Sequence, residues 1–110
     1  MTTLTTTVTV DKTGGYSCSP PSQTVTQTNT QLLYVLDPAS ASIWAFSGLT
    51  TSDGQRQVSP PVVAPDGNSV STMDLNTVAE VFNVYLLLQR RTTMVRHWVD
   101  PEVRNDPPVQ

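Results

Sequence analysis

The chain has 110 residues, of which 37% are hydrophobic and 14% charged, with a formal net charge of −3. Such a length supports one domain with one modest core. The slight negative charge offers no field to attract polyanions, which excludes nucleic acid as an expected partner.

Seventeen Thr and fifteen Val dominate the composition. Their β-branched side chains suit a pleated, half-buried surface and weaken helices. Leu4, Thr6, Val8 and Val10 alternate with Thr5, Thr7 and Thr9, which predicts a half-buried first strand. Lys12-Thr13-Gly14-Gly15 is a turn, because glycine admits positive φ. Tyr16 and Cys18 begin a short strand that Pro20-Pro21 ends. Thr24-Val25-Thr26 reads as a short edge segment. Gln31 to Leu36 is apolar on both parities and is read as a central strand. Asp37 to Ser42 is read as a loop, and Ile43 to Phe46 as a strand broken by Gly48. Asp53-Gly54 and Asp66-Gly67 suit turns between antiparallel strands. The first pair is expected to link Leu49 to a strand over Gln55–Val58. Ser59-Pro60-Pro61-Val62-Val63-Ala64-Pro65 reads as an extended edge, and Val70 to Leu75 alternates again.

Residues 78–89 admit two readings. Val78, Val81, Phe82, Tyr85 and Leu88 fall on one helical face. Yet Phe82, Val84 and Leu86 alternate with Asn83, Tyr85 and Leu87, and a long strand from Glu80 to Arg90 is the preferred reading. Met94, Arg96 and Trp98, alternating with Val95, His97 and Val99, predict a last strand. The fold class is therefore all-β: a single antiparallel β-sandwich, an Ig-like or cupredoxin-like Greek key of about seven or eight strands. The expected core is Val8, Val10, Tyr16, Leu33, Val35, Trp44, Phe46, Val70, Leu75, Phe82, Val84, Leu86 and Trp98. Residues 1–99 form the sandwich domain and residues 100–110 an Asp/Pro-rich tail, either extended along an edge or disordered.

The tail reads Asp100-Pro101-Glu102-Val103-Arg104-Asn105-Asp106-Pro107. Before it come alternating Val, a Trp-bearing middle strand, Asp74-Leu75-Asn76 and an aromatic strand. Together these features resemble the DP-EP family, small bacterial proteins named for a terminal Asp-Pro followed shortly by Glu-Pro. Asp100-Pro101 matches the first pair, and Asp106-Pro107 stands where Glu-Pro is expected, a departure of Asp for Glu. The resemblance implies a compact sandwich of bacterial origin and no particular activity. Its candidate motif residues are Asp100, Pro101, Asn105, Asp106 and Pro107.

The chemistry-bearing residues are sparse. A blue-copper site needs two His and a Cys, and this chain has His97 and Cys18 alone. Two such ligands do not close a zinc site. Asp66-Gly67-Asn68 and the carboxylates of Asp100, Glu102 and Asp106 offer oxygen ligands for calcium, but Asp-Gly-Asn is ordinary turn chemistry. Any nucleophilic scheme must use His97 as base, no Gly-x-Ser-x-Gly elbow exists, and Gly14-Gly15 lacks the residues of a phosphate loop. Neither a metal, a cofactor nor an enzymatic activity is expected. Arg90, Arg91, Arg96 and Arg104 read as solvated strand edges that block pairing. Tyr34, Trp44, Phe46, Tyr85 and Trp98 make either core or a sugar-stacking platform.

One cysteine permits no intrachain disulfide. The N-terminus lacks the pattern of a signal peptide, and the longest apolar run, Val84 to Leu88, is too short to span a bilayer. The expectation is a cytoplasmic protein, with leaderless export left open and no membrane association. It is an interaction or structural module that binds a protein partner or forms a homo-oligomer. A carbohydrate-binding or other ligand-binding sandwich and a calcium-dependent binding protein are the alternatives.

Overall fold

A computed structural model describes residues 2–108; Met1, Val109 and Gln110, at the ends of the two predicted segments, lie outside the described residues. The order is β1 (Thr3–Val10), β2 (Tyr16–Ser19), β3 (Ser22–Val25), β4 (Thr30–Leu36), α1 (Pro38–Ala41), β5 (Trp44–Thr51), β6 (Val62–Val63), β7 (Ser69–Asp74), β8 (Glu80–Arg90), β9 (Arg96–Val99) and β10 (Glu102–Asn105). The first sheet runs β2-β1-β4-β7-β6, and the second runs β3-β10-β8-β5 with β9 also paired to β8. The two sheets pack face to face, so the all-β sandwich stands.

Two details of that expectation change. The described residues hold ten strands rather than seven or eight, and the sheets are mixed rather than wholly antiparallel. β1 runs parallel to β4, and β3 parallel to β10. A parallel neighbour needs a long return connection. Between β1 and β4 the chain supplies one by pairing β2 in the first sheet and then crossing to lay β3 in the second.

Local chemistry accounts for most elements. β1 buries Thr6, Val8 and Val10 and leaves Thr3, Thr5, Thr7 and Thr9 to solvent. Gly14, at φ 93°, makes the β1–β2 turn, and Gly67, at φ 75°, makes the hairpin turn between β6 and β7. β8 is the long strand over Glu80–Arg90, with Phe82, Val84, Leu86 and Leu88 all buried. Burying such side chains contributes on the order of 1.5–3 kcal/mol each.

Several local readings are corrected. Asp37–Ser42 is not all loop: Pro38–Ala41 form one helical turn, begun by a proline and capped by the Asp37 side chain. Gly48 does not break its strand; a β-bulge between Phe46 and Gly48 absorbs one residue and β5 runs on to Thr51. Gln55–Val58 is not a strand and contributes only the isolated bridge Val58↔Asp74. In β4 the buried side chains are Thr30, Leu32, Tyr34 and Leu36, while Leu33 and Val35 are half-buried on the opposite face. A run apolar on both parities does not specify its own face; pairing with β1 and β7 decides it. Tyr16, Leu75 and Trp98 are exposed rather than core.

The segment set apart as a tail contributes β10, which is seated between β3 and β8. Its end is tied to the first sheet by buried polar groups. Asp74 Oδ1 accepts from the Asn76 backbone N–H at 2.9 Å and from Asn105 Nδ2 at 3.1 Å. Asn76 Nδ2 donates to Val25 O at 3.0 Å and Gln27 O at 3.2 Å, and the Asp106 N–H donates to Val25 O at 2.8 Å. Asp74 and Asn76 are both 0% exposed, so burial pushes the Asp74 carboxyl above its ordinary value. Asn76 also holds φ 51°, a left-handed conformation that asparagine tolerates. Asn76→Ala is therefore expected to cost about 2–4 kcal/mol, from two buried hydrogen bonds and a strained backbone. Urea denaturation measures it, and Asn76→Gly, which relieves only the backbone, should lose less.

Candidate functional site

The outer face of the second sheet carries the most unusual surface. Every pair from Arg96↔Gln89 through Val99↔Leu86 and Glu102↔Asn83 to Asn105↔Glu80 keeps one register. β9 and β10 are thus a single strand along β8, interrupted only at Asp100-Pro101. Proline has no N–H to give the ladder, although Pro101 still accepts from the Val84 N–H at 2.8 Å. Arg96, Trp98, Glu102 and Arg104 alternate outward along it and are exposed, while Val99, Val103 and Asn105 are buried.

Trp98 lies opposite Leu87, and Thr50 opposite Tyr85. Thr50, Tyr85, Trp98 and Asp100 line an open groove of about 430 Å³. The Trp98 indole is 52% exposed. Tyr85 meets it edge-on, with ring centroids 6.5 Å apart and planes at 86°. At the groove's end Asp100 Oδ1 accepts from the Tyr16 hydroxyl, which reaches over from β2 in the other sheet. That bond, aided by burial, holds the Tyr16 hydroxyl above its ordinary pKa. Asp100 O also accepts from Asn83 Nδ2 at 3.4 Å.

The family-motif residues therefore separate into two places. Asp100 joins the groove and Pro101 is buried behind it at the strand break. Asn105 belongs to the buried polar tie with Asp74, Asp106 holds β3 through its backbone, and Pro107 is half-buried beyond. Of the proposed aromatic platform, Tyr34, Trp44 and Phe46 are buried and only Tyr85 and Trp98 meet at the surface. Trp98 was misassigned to the core, although charged residues two positions away on either side, Arg96 and Asp100, share its face and mark it as outward.

The other chemistry-bearing side chains do not assemble into a reactive centre. His97 faces inward, its ring 6.0 Å from that of Trp44 and 6.4 Å from that of Tyr16, with Nε2 buried and unpartnered. Burial pushes the Cys18 thiol up, and the nearby Asp100 charge adds to this, which disfavours the thiolate. Among the described residues, no three His, Cys, Asp or Glu side chains converge as a metal site. Asp66 Oδ1 instead accepts from the Asn68 N–H at 2.9 Å, and Arg91 Nη2 donates to Asn68 Oδ1 at 2.5 Å. Gly67 leaves room there, since a Cβ on it would meet the Ala45 Cβ at 2.7 Å.

One acidic pair escaped the sequence reading. Asp53, in the turn after β5, adjoins Glu80 at the start of β8. Asp53 Oδ2 and Glu80 Oε1 are both buried and meet no N–H or hydroxyl donor among the described residues. A proton shared between the carboxyls satisfies both. The bond to Asp53 pushes Glu80 up to about 7, helped by burial and by the charges of Asp53 and Asp74. Burial also acts to raise Asp53, but hydrogen bonds from Glu80, the Thr51 hydroxyl and the Gln55 backbone outweigh it and hold that carboxyl low.

Two outcomes follow from this geometry. Glu80 favours the fold most when protonated, below its ordinary 4.5, and that contribution is lost as pH rises through about 7. Asp53 works in the opposite sense, its contribution being lost as pH falls through its lowered value. The Tm is thus expected to decline between about pH 5 and about pH 8, and Glu80→Gln, whose amide donates to Asp53 throughout, should flatten the decline. Separately, acrylamide should quench dilute Trp44→Phe protein, which keeps only Trp98, far more than Trp98→Phe protein, because Trp44 is 2% exposed. Equal quenching of the two variants would contradict the assigned exposures.

No curated protein sequence matches the chain. The pattern of one family does, over residues 2–107, a span that takes in β1 to β10 and both of the Asp-Pro pairs near the chain end. The chain belongs to the DP-EP family.

Proposed function

We propose that the protein is a non-catalytic interaction module whose contact face is the outer surface of the second sheet around Trp98 and Tyr85. The half-exposed indole of Trp98 carries this reading. A tryptophan fixed on a strand, beside an aromatic-lined groove and flanked by charged side chains, is the kind of rigid anchor on which protein interfaces concentrate their energy. The inward-facing His97 and the half-buried, unactivated Cys18 support a role without catalysis.

A saccharide ring stacks best on flat, coplanar aromatic faces. Trp98 and Tyr85 stand nearly perpendicular, which favours a protein surface as the partner. The test is a photoreactive benzoylphenylalanine in place of Trp98, compared with the same group in place of Thr7, exposed on the first sheet's outer face. Irradiation in producing cells is expected to yield a discrete protein adduct from position 98 and none from position 7. No adduct from position 98, or the same adducts from both, would remove the contact face.

A further inference from the structure

We infer that the partner for this face is a second copy of the same chain, joined edge to edge through β9 about a two-fold axis. The inference rests on the contact-face reading and adds the identity of the partner. Its first support is an open strand edge. The Arg90 N–H bonds to Val95 O, and the Val84 N–H bonds to Pro101 O. In an antiparallel ladder that phase places the backbone of His97 and Val99 toward β8 and turns the N–H and C=O of Arg96 and Trp98 away from it. Among the described residues no strand pairs with that side of β9. The free edge is short and bounded. It begins after the β8–β9 turn and ends where β3 takes over, Ser22 lying beside Glu102. Arg96 to Asp100 is the whole of it.

The second support is charge. Along this edge the outward side chains read Arg96, Trp98, Asp100. An arginine alone on an edge would repel a like strand. When two such runs lie antiparallel and overlap fully, Trp98 falls opposite Trp98, and each Arg96 falls opposite Asp100 of the other copy. Cross-strand aromatic pairs and opposite charges are the combinations that stabilise adjacent strands. Asp100 uses Oδ1 for Tyr16 and keeps Oδ2 for the incoming guanidinium. The contact is isologous and closes after two copies, so it forms a dimer and not a fibre. Strand addition of this kind derives affinity from main-chain hydrogen bonds and selectivity from alternate side chains.

Light scattering and sedimentation velocity of the full chain test the inference. The wild-type mass is expected to rise from monomer to twice that value as concentration increases. Arg96→Asp and Asp100→Arg each place like charges opposite one another, and each should remain monomeric. Mixed in equal amounts, they restore both opposite-charge pairs and should form a heterodimer. Tyr16→Phe removes the Tyr16 bond to Asp100 without altering charge and should still dimerise, which separates pairing from any loss of fold. A wild type that stays monomeric throughout, or charge variants that fail to recover on mixing, would overturn the inference. If the wild type is monomeric while position 98 still captures a different protein, the second copy is wrong and the contact face stands. If position 98 captures nothing as well, both fall.

Discussion

The second sheet depends on β8 acting as its template. Eleven residues long, β8 carries β5 along one side and the joined β9–β10 strand along the other. Its even-numbered side chains, Phe82 to Leu88, fill the interior, so a slip of one residue would turn four buried apolar groups to solvent. That penalty pins the register of the strands beside it. It also determines what stands on the outer face: once Leu86 and Val99 are opposed within the core, Trp98 must point outward, and Asp100 with it.

Against this fixed register, the two Asp-Pro pairs near the chain end have different physical work. At Asp100-Pro101 the ladder loses a donor but keeps its phase, so the strand continues while its neighbour changes. Before the break the far side of the strand is open; after it, β3 is paired there. At the second pair, Asn105 and Asp106 bind the end of β10 to β3 and to the buried Asp74, which belongs to the other sheet. Here the identity of the acidic residue matters little, because Asp106 acts through its backbone N–H and its side chain is exposed. This accounts physically for a chain in which Asp stands where Glu is expected.

Much of the fold was legible in the sequence. Alternation located β1, β7 and β8, and glycine placed the β1–β2 and β6–β7 turns. What escaped was information the chain does not hold locally. Leu32 to Leu36 is oily on both faces, so neighbouring strands had to choose between them. Gly48 reads as a break because the bulge that accommodates it exists only against β8. The pairing of Asp53 with Glu80 joins residues 27 positions apart, at opposite ends of the β5-to-β8 connection. The candidate face was half visible: the motif pointed to Asp100, but Trp98 was credited to the core because tryptophan is apolar. The charged residues two places before and after it carried the better signal, since period two places all three on one side.

The two outer faces of the sandwich therefore differ in kind. The first sheet shows solvent a field of threonine hydroxyls along β1, uncharged and repetitive. Such a surface is well hydrated and offers a partner little to distinguish one register from another. The strands of the second sheet carry every charged side chain found on a strand except Asp74, with Arg96, Glu102 and Arg104 in one file beside an exposed indole. Charges of both signs at fixed strand spacing are costly to mismatch, whereas hydroxyls are not. The contact face proposed above therefore has the chemistry to discriminate between partners, which the threonine face of the first sheet lacks.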